Sequence, residues 1–245
     1  MRIIISPAKK MVDDADLPYH DLPVFIERAE RLREWLCSLS YAEKKKLWAC
    51  SDAITEQNSE RFAHMDLRHN PIPALLSYDG IQYAYMAPAV FEDGHLAYVQ
   101  DHLRILSGFY GVLKPFDGVV PYRLEMQAKA AVDGFANLYE YWGDSLYREV
   151  IDDDQVILNL ASKEYSKAIE KYLGPGDSFI TCIFGELEDD KVVQKGVYAK
   201  MARGEMVRYL ASIQATEPQQ AKGFAWSNYT FDEARSTEAN YVFVR

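Results

Sequence analysis

The chain has 245 residues, a formal net charge of -10 and three cysteines. This length is near the upper limit for one domain and can bury a large core without disulfides or metals. The mean hydropathy is -0.26 and no apolar run is long enough for a spanning helix, the scattered Cys37, Cys50 and Cys182 argue against a secreted disulfide framework, and the acidic balance by itself argues against nucleic acid as a partner.

Arg2 to Ile5 reads as a short buried strand, ended by Ser6-Pro7. No small-residue cleavage site follows it, so a cytoplasmic protein is expected. Residues 12–23 read as a loop. Val24 to Ser38 has Phe25, Ala29, Leu32 and Leu36 at helical spacing. Two more helices are predicted over Tyr41 to Cys50 and Asp52 to His64, with Ser40 and Ser51 as N-caps. Ala74 to Tyr78 reads as a strand. Ala97 to Leu106 reads as a helix and Val112 to Phe116 as a short one. Glu140 to Glu149 is helical, followed by the acidic loop Asp152 to Asp154. Val156 to Leu160 is a buried strand running into a helix from Ala161. Phe179 to Phe184 is a strand, with Lys191 to Tyr198 as its hairpin partner. Ala199 to Gln214 is helical. Gly223-Phe224 and Tyr241 to Val244 read as terminal strands. The interleaving predicts an α+β or mixed α/β fold, one compact domain over residues 1–245 with a mixed sheet and flanking helices.

Several chemistries are not supported. No phosphate-binding glycine loop, no dinucleotide fingerprint, no zinc-protease motif and no nucleophile elbow is present. His20, His64, His69, His95 and His102 lack ligand spacing on a helix face. Neither a metal nor a cofactor is expected, and no established catalytic motif marks an enzyme.

Five segments carry a signal. In Ile5-Ser6-Pro7-Ala8-Lys9-Lys10, two lysines follow a strand end, where clefts form; a solvated loop is the alternative. In Leu106-Ser107-Gly108-Phe109-Tyr110-Gly111-Val112-Leu113-Lys114-Pro115, two glycines between predicted helices suggest a helix-hairpin-helix over about 97–118. Its free N–H groups would form a phosphate nest; a tight turn packed in the core is the other reading. In Pro121-Tyr122-Arg123-Leu124-Glu125-Met126, Arg123 and Glu125 share a side, either as a phosphate-binding arginine or as a plain ion pair. In Asn159-Leu160-Ala161-Ser162-Lys163-Glu164-Tyr165, a strand delivers Asn159 and Ser162 to a turn, and Ser162 is a natural N-cap. In Ala199-Lys200-Met201-Ala202-Arg203-Gly204-Glu205-Met206, Lys200 and Arg203 share a helix face. Residues 191–208 hold five cations against Glu205 alone, a local field of sign opposite to the whole chain.

Together these five segments resemble the YaaA peroxide-stress-response family, with weaker echoes at Tyr141-Trp142-Gly143-Asp144 and Gly223-Phe224. They occur in the family's order and span nearly the whole chain. The resemblance implies a single-domain mixed α/β fold of its own type. It also implies a bacterial cytoplasmic protein that protects against peroxide by limiting unincorporated iron. DNA binding through a positively charged cleft and a helix-hairpin-helix is implied as well. The positions carried over are Lys9, Lys10, Ser107, Gly108, Tyr110, Gly111, Lys114, Arg123, Lys200 and Arg203.

Two functions from different classes follow. The first is a non-enzymatic DNA-binding stress protein of low sequence specificity, contacting double- or single-stranded phosphate backbone. The second is an enzyme with a small phosphorylated or nucleotide-like ligand, using Ser6, Glu125, Asn159, Ser162 and Tyr165 beside the cations. An enclosed pocket favours the second and a long open groove the first.

Overall fold

The N-terminal run forms strand β1 (Arg2–Ile5), and Ile3, Ile4 and Ile5 are fully buried. The computed structural model describes residues 1–245. After β2 (Lys10–Met11) and a loop come three helices, α1 (Ile26–Ser38), α2 (Tyr41–Trp48) and α3 (Asp52–Ala63). Ser40 and Ser51 cap the second and third. Their hydroxyls accept from the amides of Glu43 and Ile54 at 3.4 and 3.5 Å. Glu43 in turn accepts from the Ser40 amide at 2.8 Å, completing a capping box.

The chain continues through β3 (Ile72–Pro73), α4 (Ala74–Ser77), β4 (Tyr78–Asp79) and α5 (Ile81–Met86). The strand expected over 74–78 is thus mostly one helical turn, because five residues carry too little period to separate the two states. Next come α6 (Asp93–His102), β5 (Leu103–Ser107), β6 (Gly111–Leu113) and β7 (Gly118–Val119).

Here the predicted helix-hairpin-helix is overturned: residues 93–113 form a helix followed by a β-hairpin. Val99, Leu103 and Leu106 continue a helical spacing, but residues 103–107 are buried throughout and pair with β1 from Ile3–Leu103 to Ile5–Ile105. A short apolar run buried on both faces suits a parallel strand. Arg104 marks the change of state, donating to the carbonyls of Gln100 and Leu103 at 3.2 and 2.7 Å where α6 ends.

The remaining elements are α7 (Leu138–Trp142), α8 (Ser145–Val150), β8 (Val156–Leu160), α9 (Lys163–Glu170), β9 (Ser178–Glu188), β10 (Lys191–Val193), α10 (Gly196–Ser212), β11 (Thr230–Phe231) and β12 (Asn240–Val244). The single helix expected over 140–149 is two, divided at Gly143-Asp144. The hairpin partner of β9 stops at Val193 because α10 begins at Gly196. The strand expected at Gly223-Phe224 is the end of a 3-10 turn, with Phe224 in the core.

The main sheet has the order β11-β12-β9-β8-β1-β5-β6, with β10 on the far part of β9. Its five central strands are parallel and its two edges antiparallel. This is the mixed α/β fold expected, around one core cluster of 59 buried residues. No helix is long and apolar enough to cross a membrane. The chain leaves β1 to reach β5 on one side and leaves β8 to reach β9 on the other. Strand order therefore diverges between β1 and β8, the position where open α/β sheets form ligand crevices beyond the strands' carboxyl ends.

Candidate functional site

The strands β1 and β8 end side by side, with Ile5 opposite Leu160. Each runs on to a serine. The Ser162 amide donates to Ser6 Oγ at 2.8 Å, and the Ser6 hydroxyl lies 3.2 Å from Ser162 Oγ. Ser162 holds the N-cap position of α9 but its side chain makes no cap bond. Asn159 supports the turn from behind. Its Oδ1 accepts from the Ala161 amide at 2.9 Å and its Nδ2 donates to Thr181 Oγ1 at 3.1 Å. It is buried and does not line the cavity.

A cavity of about 400 Å³ adjoins the two serines. Its walls are residues 6–10, 79–83, 122–125 and the start of α9, closed by Lys200 and Arg203 of α10. The structure brings nine sequence candidates together here: Ser6, Lys9, Lys10, Arg123, Glu125, Ser162, Tyr165, Lys200 and Arg203. Asp79, Gln82, Tyr83 and Glu164 join them without having been singled out. Glu164 lay inside a matched motif, but Gln82 and Tyr83 lie on α5, a helix too short to show a period. Tyr83 ties α5 to the end of β1, its hydroxyl donating to the Ser6 carbonyl at 3.0 Å. Gly204 lets α10 approach α5, since a Cβ there would lie 2.1 Å from the Gln82 carbonyl oxygen.

The hairpin candidates serve the site from behind. Ser107, Gly108, Tyr110 and Gly111 are all buried. The amides of Phe109 and Tyr110 donate to Ser107 Oγ at 3.1 and 2.9 Å, so the hairpin closes on its own serine and forms no phosphate nest. Both acceptor positions of Ser107 are then filled, and its proton goes to the Tyr122 hydroxyl at 2.6 Å. The Tyr122 hydroxyl also shares a hydrogen bond with the Tyr78 hydroxyl at 2.8 Å. Burial pushes the Tyr122 hydroxyl up to about 12, so it stays protonated. Gly108 permits the hairpin to pack under the Arg123 segment, because a Cβ would lie 2.5 Å from the Leu124 carbonyl oxygen. Lys114 is exposed, lies outside the cavity, and uses its backbone amide to bond Asp117 at 2.8 Å.

The charges in the cavity are unevenly satisfied. Glu125 Oε1 receives both Lys9 Nζ at 3.2 Å and Arg123 Nη2 at 3.1 Å. Lys10 pairs with Asp79. Arg203, by contrast, has neither an ion pair nor a hydrogen bond, and its Nε is buried without a partner. The Nε of Arg123 and the Nε2 of Gln82 are buried and unpartnered as well. Burial lowers the Arg203 pKa, yet a guanidinium remains charged at neutral pH. Glu164 is raised, chiefly by burial, with Glu125 adding to the effect. Unfilled donors on retained cations are the makings of an anion site. No group of three or more His, Cys, Asp or Glu side chains is placed to hold a metal.

Comparison with known proteins agrees with the motif order. A family model described as "Peroxide stress protein YaaA" matches residues 1–235. A UPF0246 protein of Desulfitobacterium hafniense is 55% identical over 246 residues, covering 100% of this chain and 98% of the relative. A UPF0246 protein of Agathobacter rectalis is 54% identical over 246 residues, covering 100% and 99%. One from Limosilactobacillus reuteri is 49% identical over 245 residues, covering 99% and 98%. With nearly the full chain matched on every count, the protein belongs to the family of the peroxide stress protein YaaA.

Proposed function

We propose that the cavity between β1 and β8 binds a small phosphorylated, nucleotide-like ligand, and that this binding is the protein's contribution to the peroxide stress response. The observation that carries the reading is Arg203, a largely buried guanidinium on the cavity wall with no acceptor of its own. Leaving such donors unfilled is costly, and an anionic ligand would fill them. The volume of about 400 Å³ falls in the range of small-molecule sites and is far too small for a duplex.

A second reading keeps DNA as the partner. It is favoured by Lys9, Lys10 and Lys200, which are exposed at the cavity. Backbone phosphates would rest on these lysines while one unstacked nucleotide entered the cavity. Such binding would be weakly sequence-specific. It would also fall steeply with salt, since the net charge of -10 leaves no supporting basic surface. In either reading, protection from free intracellular iron is an indirect consequence.

The test is a thermal-shift titration of the whole protein with AMP and with short single- and double-stranded DNA. Variants Arg203→Ala and Lys114→Glu run alongside. AMP at a hundredfold excess over Kd should stabilise the native protein by about 2.7 kcal/mol. Arg203→Ala should lose that response and Lys114→Glu should keep it. A response to DNA alone, still dependent on Arg203, selects the second reading. No response to any of them rejects both. Peroxide survival of cells carrying Arg203→Ala then reports whether the cavity matters in the stress response.

A further inference from the structure

Among the eight charged side chains of the cavity, five satisfy one another: Lys9 and Arg123 with Glu125, and Lys10 with Asp79. Three do not. Lys200 and Arg203 on α10 have no carboxylate partner, and Glu164 at the start of α9 has no cation partner. Opposite charges in one cavity attract, so side chains free to meet would pair. These are held apart on separate helices. Glu164 is also half engaged: its Oε1 accepts the Gln127 amide at 3.2 Å, and its other oxygen accepts from no protein donor.

From this separation we infer that the ligand has two different ends, a phosphate that meets Arg203 and Lys200 and a hydroxyl-bearing sugar that donates to the free oxygen of Glu164. The inference rests on the anion site proposed above and specifies its ligand class. Charge balance selects hydroxyls over an ammonium group. The cavity carries five cations, Lys9, Lys10, Arg123, Lys200 and Arg203, against three carboxylates, Asp79, Glu125 and Glu164, an excess of two. A phosphate monoester brings roughly -1.5 to -2 and cancels that excess by itself. An added ammonium would restore an imbalance, whereas neutral hydroxyls satisfy Glu164 without one. Sugar phosphates and nucleoside 5′-phosphates have this construction, and inorganic phosphate lacks the second end.

The experiment measures the affinity of inorganic phosphate, ribose 5-phosphate and AMP by calorimetry, for the wild type and for Glu164→Gln. The glutamine keeps an acceptor for the Gln127 amide and replaces the free, acceptor-only oxygen with an NH2 donor, and ligand-free melting curves confirm that the variant folds. Glu164→Ala serves as a second variant. For the wild type, ribose 5-phosphate and AMP should bind at least tenfold more tightly than phosphate. Glu164→Gln should erase that preference without weakening phosphate, whose affinity should hold or rise as a carboxylate leaves the cavity. Equal affinity for all three ligands overturns the two-ended site while leaving the anion site standing. So does an equal loss for all three in both variants, which would mark Glu164 as a structural residue. If none of the three binds the wild type, the anion site falls with it.

Discussion

Ser6 Oγ, just past the first strand, accepts the Ser162 amide at 2.8 Å across 156 positions of sequence. That bond fastens the ends of β1 and β8 together at the point where the strand order diverges. The Ser162 hydroxyl, 3.2 Å from Ser6 Oγ, makes no cap bond to α9. Ser6→Ala removes the acceptor and leaves a half-buried amide unpaired, which costs about 1–3 kcal/mol. Thermal denaturation should show a fall in Tm of several degrees, partly restored in Ser6→Thr. An unchanged Tm in Ser6→Ala would mean that the bond contributes nothing.

Gly204 governs the distance between α10 and α5. A methyl group there would lie 2.1 Å from the Gln82 carbonyl oxygen and 2.8 Å from the Met86 nitrogen, both backbone atoms that cannot swing aside. Gly204→Ala should therefore destabilise by about 1–3 kcal/mol through overpacking, despite alanine's better helix propensity. The same displacement moves Gln82 and Tyr83 relative to Arg203, so phosphate-ligand affinity should fall as well. A variant more stable than the wild type in urea unfolding would contradict the close approach.

Asp117 predicts a pH dependence. It is buried, its Oδ2 accepts the Lys114 amide at 2.8 Å, and burial pushes its carboxyl up to about 7. The unfolded chain's aspartate titrates near 3.9. The native state thus holds this proton more tightly, and the stability it contributes is full below about pH 4 and lost as pH rises through about 7. Asp117→Asn keeps the acceptor oxygen and removes the titration. Stability relative to wild type should rise between pH 5 and pH 8 in denaturant unfolding. Parallel stability curves for the two proteins would remove Asp117 from the account.

Much of the fold was legible where local signals and burial agree. The isoleucines of β1, the amphipathic α1, the capped α2 and α3, and the strand-to-helix passage from β8 to α9 all stand where the sequence puts them. Residues 103–107 were not legible. Their apolar spacing extends α6 smoothly, and the partner that draws them into the sheet, β1, is about 100 positions away. Non-local pairing of this kind leaves no period in a short run. The misread hairpin carried the phosphate nest with it, and Ser107, Gly108, Tyr110 and Gly111 became supports for the Arg123 segment.

The amino-acid sequence by itself determined the family, through motifs in order, and supplied nine of the residues that line the cavity. It also showed that cations gather locally in an acidic chain. Only the tertiary structure decided which of those charges neutralise one another and which are left over. Lys9, Lys10 and Arg123 are consumed in ion pairs, whereas Arg203, Lys200 and Glu164 are not. The reason is physical: attraction between charges depends on distance and on the surrounding dielectric, and both are set by how helices and strand ends far apart in sequence pack around one cavity.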